Sequence, residues 1–291
     1  MHIFKSKRTL KNFILGIRCH VKAFRFLVKH KFWWYSLVPF FVFIGIYALG
    51  FYLKGLEENN SPDNFDDFED VKKMLYYFYY GILLLLFLSL TNFTRYIVII
   101  LISPVLAIIS QRTEKILTGN TYKFDFKQLK KDIIRAINLA FRNIIYEFSL
   151  ILLITVLFWF ISLFISAEKD MISFIKKGII MIIAFYYYGF AFLDYTLERM
   201  RLSVEESIIY VRKKRGLAIS IGVIFTIIFH YSQELLNPKD YFQNDYVFYL
   251  TIFAIALISS IVPVWSMIAS TIALNEIEGL ENNKYANKEI D

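Results

Sequence analysis

Residues Phe32–Leu53, FWWYSLVPFFVFIGIYALGFYL, decide the fold class, because they are apolar throughout apart from Ser36. A helix rises about 1.5 Å per residue, so about 20 such residues cross a hydrocarbon core of about 30 Å. Trp33, Trp34 and Tyr35 open the run, and aromatic rings of this kind settle at the headgroup boundary. A bilayer core offers no partners to backbone N–H and C=O groups, so a chain crosses it as helices or as a closed barrel. A barrel strand alternates apolar and polar residues, and this run does not. The whole chain agrees, with 57% hydrophobic and 19% aromatic residues against about 45–50% apolar residues in soluble domains. The expected fold is therefore all-α: a polytopic helical membrane protein with full spans, partly inserted helical hairpins and interfacial amphipathic helices.

On the N-terminal side, residues 1–31 carry Lys5, Lys7, Arg8, Lys11, Arg18, Lys22, Arg25, Lys29 and Lys31 and no acidic residue. Phe13, Ile14, Ile17, Val21, Phe24, Leu27 and Val28 recur among them at helical spacing. This predicts a basic amphipathic helix lying on an anionic membrane face. It is unlike a signal peptide, which needs a short apolar core and a small-residue cleavage site. On the other side, Lys54–Lys73 is acidic and contains the turn signal Asn60-Ser61-Pro62-Asp63. Met74–Ile109 is longer than one crossing requires, so it either tilts out of the bilayer or breaks near Arg95 or Pro104. In Gln111–Glu147 the stripe Leu129, Ile133, Ile137, Phe141 and Ile144 predicts a second interfacial helix.

Two pairs of shorter apolar runs follow. Phe148–Ile165 and Gly178–Leu193 flank the polar link Ala167–Lys177, and Leu217–Phe229 and Tyr246–Leu274 flank His230–Asp245. The run Leu217–Phe229 falls below the about 17 residues a crossing needs, so such pairs read as hairpins that dip partway into the membrane. Between them, Ser203 stands three residues before Glu206 in capping-box spacing, and Gly216 is placed to close the helix. The chain thus divides into a basic N-terminal helix (1–31), a helical membrane domain (32–274) and a polar C-terminal tail (275–291).

The chemistry-bearing residues are sparse. Cys19 is the single cysteine, and His2, His20, His30 and His230 are scattered, so no metal set and no nucleophile–base pair stands out. Neither an enzyme nor a cofactor is expected. The net charge of +8 comes from cations that border apolar segments, which points to a lipid bilayer as partner and away from nucleic acid. A homo-oligomer stays open. Arg95, inside an apolar stretch, lines a path or sits at the interface.

Several short motifs together resemble the CysZ-like family, which shares its domain with the etoposide-induced membrane proteins. Trp33 with Leu37-Val38-Pro39 resembles the mouth of that family's first helix. Ser103-Pro104-Val105-Leu106 and Glu114 through Thr118-Gly119 resemble the end of its long second helix. Most specific is Phe192-Leu193-Asp194-Tyr195, then Glu198-Arg199, Leu202-Ser203, Glu206 and Arg212 to Gly216, with Thr196 where the family usually has proline and Met200 inside its Arg-rich turn. Pro263 and Ala269–Ala273 resemble the final helix. The resemblance implies full spans with partly inserted hairpins and, for the bacterial branch, sulfate uptake across the plasma membrane. In that branch the first helix opens on a Gly-Ile-Arg-Arg-like sequence whose arginines and amides hold the anion. Here the same places read Lys31-Phe32-Trp33-Trp34. An indole has one N–H donor and no charge, so it cannot replace a bidentate guanidinium.

The remaining anion-binding candidates are Lys29, His30 and Lys31 at the helix mouth and Arg199 and Arg201 in the turn. Lysines at a juxtamembrane position also snorkel to lipid phosphates. Asp194, Tyr195, Ser203 and Glu206 are read as structuring the loop, since Glu206 in a capping box would occupy a backbone donor and repel an anion. Two functions follow: a sulfate-like oxyanion permease, or a non-transporting scaffold that organises lipids or proteins. The Lys/Arg-rich segments 1–31, 111–147 and 194–216 alternate with the acidic ones, placing the former and both termini in the cytoplasm. Labelling of Ser61→Cys and Ser203→Cys in intact cells checks this: only the first should react with an impermeant thiol reagent, and equal reaction would refute a single orientation.

Overall fold

The computed structural model describes residues 2–59, 70–122, 126–164, 169–235 and 245–288. Eight α-helices build it: α1 (His2–Lys29), α2 (Leu37–Asn59), α3 (Asp70–Thr118), α4 (Phe126–Phe164), α5 (Lys169–Arg199), α6 (Val204–Lys213), α7 (Arg215–Leu235) and α8 (Asp245–Glu278). A 3-10 turn, Phe32–Ser36, joins α1 to α2, and β1 (Asn120–Thr121) pairs antiparallel with β2 (Asn287–Lys288). Among the described residues six helices are long and apolar enough to cross a membrane, all but α1 and α6. The all-α polytopic fold read from composition is the fold observed.

Its centre is the contact between α5 and α7. A Cβ on Gly189 would lie 1.7 Å from the Ala218 carbonyl oxygen, and one on Gly222 would lie 1.9 Å from that of Phe185. Two backbones therefore touch, as small residues allow where lipid is as apolar as the side chains and only close packing drives association. Aromatic rings fill the space beside this seam: Phe225 packs against Tyr188 at 5.2 Å and Phe192 at 5.3 Å, and Phe229 reaches Phe43 of α2 at 5.7 Å. Helix α8 packs across the bundle through small residues, with the Ser270 hydroxyl donating to the Phe192 carbonyl at 2.9 Å.

The structure departs from the sequence reading in several places. Helix α3 runs unbroken through Arg95 and Pro104, so the long apolar stretch is one helix; the Arg95 side chain lies outside the described residues. Residues 126–164 form one 39-residue helix, not a separate interfacial helix followed by a hairpin arm. Of the Leu129–Ile144 stripe, Ile137 and Phe141 are exposed and Ile144 is half-buried against the core, while the Leu129 and Ile133 side chains lie outside the described residues; Leu139, Ala140, Asn143 and Glu147 are buried. A lipid-facing helix turns its small and polar residues inward and its large apolar ones out, the reverse of a water-facing one. Gly216 does not end α6. It lies in the first turn of α7, where a Cβ would meet the Thr9 carbonyl at 2.1 Å. Helices α5 (31 residues), α7 (21 residues) and α8 (34 residues) all outrun their apolar cores, because polar residues at their ends stay helical. The shortness that suggested half-inserted arms thus applies to the apolar runs and not to the helices, and Pro263 leaves α8 continuous. The Asn60–Asp63 turn lies outside the described residues. The C-terminal tail folds back, with Leu280 buried and β2 on β1.

Helix α1 packs on α7 and α8 through Gly16, Cys19, His20, Ala23 and Leu27, while Ile14, Val21, Phe24 and Val28 face outward. His20 anchors it. The Nε2 atom sits 3.2 Å from the Ser220 carbonyl, which only accepts, so Nε2 carries the hydrogen; Trp265 donates to the His20 carbonyl at 2.8 Å. Burial pushes the imidazole down to about 4 despite the opposing backbone hydrogen bonds to Ser220 and Ile221. Undocked, the ring takes up a proton near its ordinary value of about 6.5. A depressed histidine therefore contributes docking stability that is complete above about pH 6.5 and is lost as pH falls towards about 4, up to about 3 kcal/mol. Amide-exchange protection of α1 should drop over that window, and His20→Gln should flatten the dependence. Protection that is constant from pH 7 to 4.5 would contradict it.

Candidate functional site

The turn between α5 and α6 is built from the residues the sequence singled out. Helix α5 ends as the Arg201 N–H donates to the Glu198 carbonyl at 2.7 Å and the Leu202 N–H to the Leu197 carbonyl at 3.2 Å. Arg201 takes φ 60, the left-handed region that side chains other than glycine and asparagine disfavour. Ser203 then starts α6 with a complete capping box: its N–H donates to the Glu206 carboxylate at 2.7 Å, and its hydroxyl accepts from the Glu206 N–H at 3.2 Å. The Ser203 backbone N–H, and after it the Ser203 side chain, hold the Glu206 carboxyl below the usual carboxylate range.

Arg135 of α4 fastens this turn. Its Nε and Nη2 donate to the two carboxylate oxygens of Asp194 at 3.1 and 2.8 Å, Nη1 donates to the Leu202 carbonyl at 2.6 Å, and Nη2 also reaches the Ser207 hydroxyl at 2.8 Å. The pair is largely buried, at 15% and 7% side-chain exposure, which makes a two-pronged guanidinium–carboxylate contact far firmer than a surface one. Arg135 lines an open groove of about 480 Å³ whose cationic lining also includes Lys131 and Arg201, and whose anionic lining is Glu198 and Glu206. Behind it, between α3, α4 and α5, lies a cavity of about 30 Å³ edged by Tyr96, Asn143, Asp194, Tyr195 and Glu198. That is room for about two waters. Asp194 stands between the two spaces, and deeper in, the Tyr96 hydroxyl donates to the buried Glu147 carboxylate of α4.

Arg199 lies elsewhere. Its Nε donates to the Glu114 carboxylate of α3 at 2.9 Å and Nη2 to the Ser110 hydroxyl at 2.8 Å, and the two side chains are 8% and 0% exposed. Glu114 also accepts from the Tyr122 hydroxyl at 2.5 Å and the Asn120 amide at 3.0 Å. Burial, with the carboxylate beside it, pushes the Tyr122 phenol up. The tail completes the cluster: Asn283 donates to the Tyr122 oxygen at 2.9 Å and the Arg199 carbonyl at 3.3 Å. The arrangement ties α3, α5 and the tail together.

Arg201, Ser203 and Glu206 thus line the groove, and Asp194 and Tyr195 line the cavity behind it. Lys29, His30 and Lys31 line neither. Lys29 and Lys31 are exposed at the mouth of α2, Lys31 with φ 58, and His30 packs on the Phe26 ring at 4.4 Å. Next to them Trp33 and Trp34 stack at 4.2 Å. Sequence reasoning missed Arg135, Glu114 and Glu147. The signal was there: Arg135, Asn143 and Glu147 lie at multiples of four residues along α4 and so share one side of the helix.

Arg199→Met should leave the Glu114 charge buried without its guanidinium, costing about 3–5 kcal/mol, whereas Arg199→Met combined with Glu114→Gln should recover part of that loss. Thermal unfolding in detergent reads both; equal loss in the single and double variants would show that the ion pair is not the cause.

Residues 19–232 match the family described as Sulfate transporter CysZ/Etoposide-induced protein 2.4. No curated protein matches the chain. The match takes in α2 to α6, the C-terminal part of α1 and nearly all of α7, together with the groove and both buried ion pairs. This multi-pass helical membrane protein belongs to the CysZ/etoposide-induced protein family.

Proposed function

We propose that the protein passes a sulfate-like oxyanion across a bacterial plasma membrane, with both termini in the cytoplasm, and that the groove between α4, α5 and α6 is its vestibule. The observation that carries this reading is the Arg135 guanidinium in the groove lining, in a member of a family described as a sulfate transporter. A divalent oxyanion entering a low-dielectric path needs several charge-assisted hydrogen bonds to offset a desolvation cost of several kcal/mol. Arg135, Lys131 and Arg201 bring three cations to one groove. Lys29, His30 and Lys31 offer a second cationic surface at the mouth of α2, where the family's arginine pair is replaced by Trp33 and Trp34. Arg199 serves the site indirectly, by holding the end of α5 on Glu114.

Vesicles reconstituted with the protein should take up radiolabelled sulfate saturably. Lys29→Gln with Lys31→Gln should reduce that flux at least about tenfold if the helix mouth feeds the path. Trp33→Arg with Trp34→Arg should raise it. Sulfate uptake at the parental rate in the double Gln variant removes Lys29 and Lys31 from the site. A parent without flux, beside a CysZ protein with both arginines that transports, makes the membrane-scaffold reading the correct one.

A further inference from the structure

Resting on the oxyanion reading, we infer that Asp194 is a built-in stand-in for the transported anion: an incoming oxyanion replaces its carboxylate on Arg135 and so joins the groove to the inner cavity. A carboxylate and a sulfate offer a guanidinium the same thing, two oxygens at the spacing of two parallel N–H donors. Asp194 fills that position now, with Nε at 3.1 Å and Nη2 at 2.8 Å. It also lies on the boundary between the two spaces, since Arg135 lines the open groove while Asp194 lines the smaller cavity. Glu198 lines both, so the two spaces abut along one helix.

In this structure the way is shut. A cavity of about 30 Å³ admits about two waters and no hydrated divalent ion. Opening it requires the α4–α5 contact to yield there, and the same guanidinium governs that contact. When the ion takes Arg135, Asp194 loses its partner and the buried carboxylate is driven towards water. The Leu202 carbonyl and the Ser207 hydroxyl are held by the same guanidinium at 2.6 and 2.8 Å, so its movement also loosens the start of α6 and the left-handed turn at Arg201. Exchange of one anion for another keeps Arg135 paired throughout, which avoids the cost of leaving a buried guanidinium bare. Tyr195, Asn143 and Tyr96 line the space that opens.

The test is equilibrium binding of radiolabelled sulfate to the detergent-solubilised full-length protein, run beside vesicle flux. Asp194→Asn removes the competing charge and keeps the shape, and it should tighten sulfate binding about tenfold. Arg135→Lys keeps the charge but loses the two-pronged geometry, and it should weaken binding about tenfold; Arg135→Gln should abolish it. Unfolding temperatures identify any variant that fails to fold, and Arg135→Lys carries the decision if Arg135→Gln does. Binding that follows these substitutions without any flux keeps the exchange site and overturns the transport reading. Flux and binding in the parent that ignore both Asp194→Asn and Arg135→Lys overturn the exchange site and leave transport standing. An absence of sulfate binding in the parent and in Asp194→Asn overturns both.

Discussion

The backbone contact between α5 and α7 is the constraint on which the rest depends. Gly189 and Gly222 leave no room for even a methyl group, and this fixes how deep α7 sits and where the aromatic cluster of Tyr188, Phe192, Phe225 and Phe229 can form. With α7 placed, Gly16 and Gly216 let α1 lie across its start, and Ser220 is presented to His20. With α5 placed, its last turns carry Asp194, Glu198 and Arg199 to the end of the bundle, where the two buried ion pairs form. A non-directional hydrophobic drive is absent between helices in lipid. Close backbone approach and polar pairing therefore carry the specificity that oil-like packing supplies in soluble proteins.

The two arginines divide the work between them. Arg199 and Glu114 are almost fully enclosed and hydrogen-bonded by Ser110, Tyr122 and Asn120, so the charged pair is satisfied within the protein and the cluster is a structural tie. Arg135 and Asp194 are nearly as buried but face a groove on one side and a cavity on the other. The chemistry of the two pairs is the same and their surroundings are not. That difference, and not the presence of an arginine, separates a structural tie from a site able to exchange ligands.

Much of the fold was legible in the sequence. Each apolar run lies in a helix long and apolar enough to cross, although the last four read as partly inserted arms, and Ser203 with Glu206 marks the start of α6 to the residue, because a capping box is local chemistry that tertiary context rarely overrides. The turn motif from Asp194 to Glu206 led to the residues that line the groove and cavity. Two things were hidden. Gly216 was read as a helix stop because it follows the basic run Arg212 to Arg215, whereas its role is set by Thr9, more than 200 residues away along the chain. And α4 was divided, because its apolar stripe reads as a separate interfacial helix, whereas Ile137 and Phe141 lie on the exposed side of one continuous helix whose other side turns Asn143 and Glu147 inward.

The polar side of α4 explains why Arg135 escaped notice. In water, an arginine on the polar stripe of a helix is a solvated residue of little consequence. In a bilayer the polar stripe is the one that turns towards the other helices, since lipid rejects it. Read with that rule, Arg135, Asn143 and Glu147 fall on the protein-facing side of α4, and each meets a partner group or a cavity there: Asp194, the small cavity and Tyr96. The apolar segment of α4, Ile134–Phe164, has almost none of its surface buried, and the helix packs chiefly on α5 and α3. Its position is therefore set less by area than by this line of polar contacts. A helix held that way is sensitive to whatever occupies its one guanidinium at the bundle's end, so the residue that anchors α4 is also the residue best placed to move it.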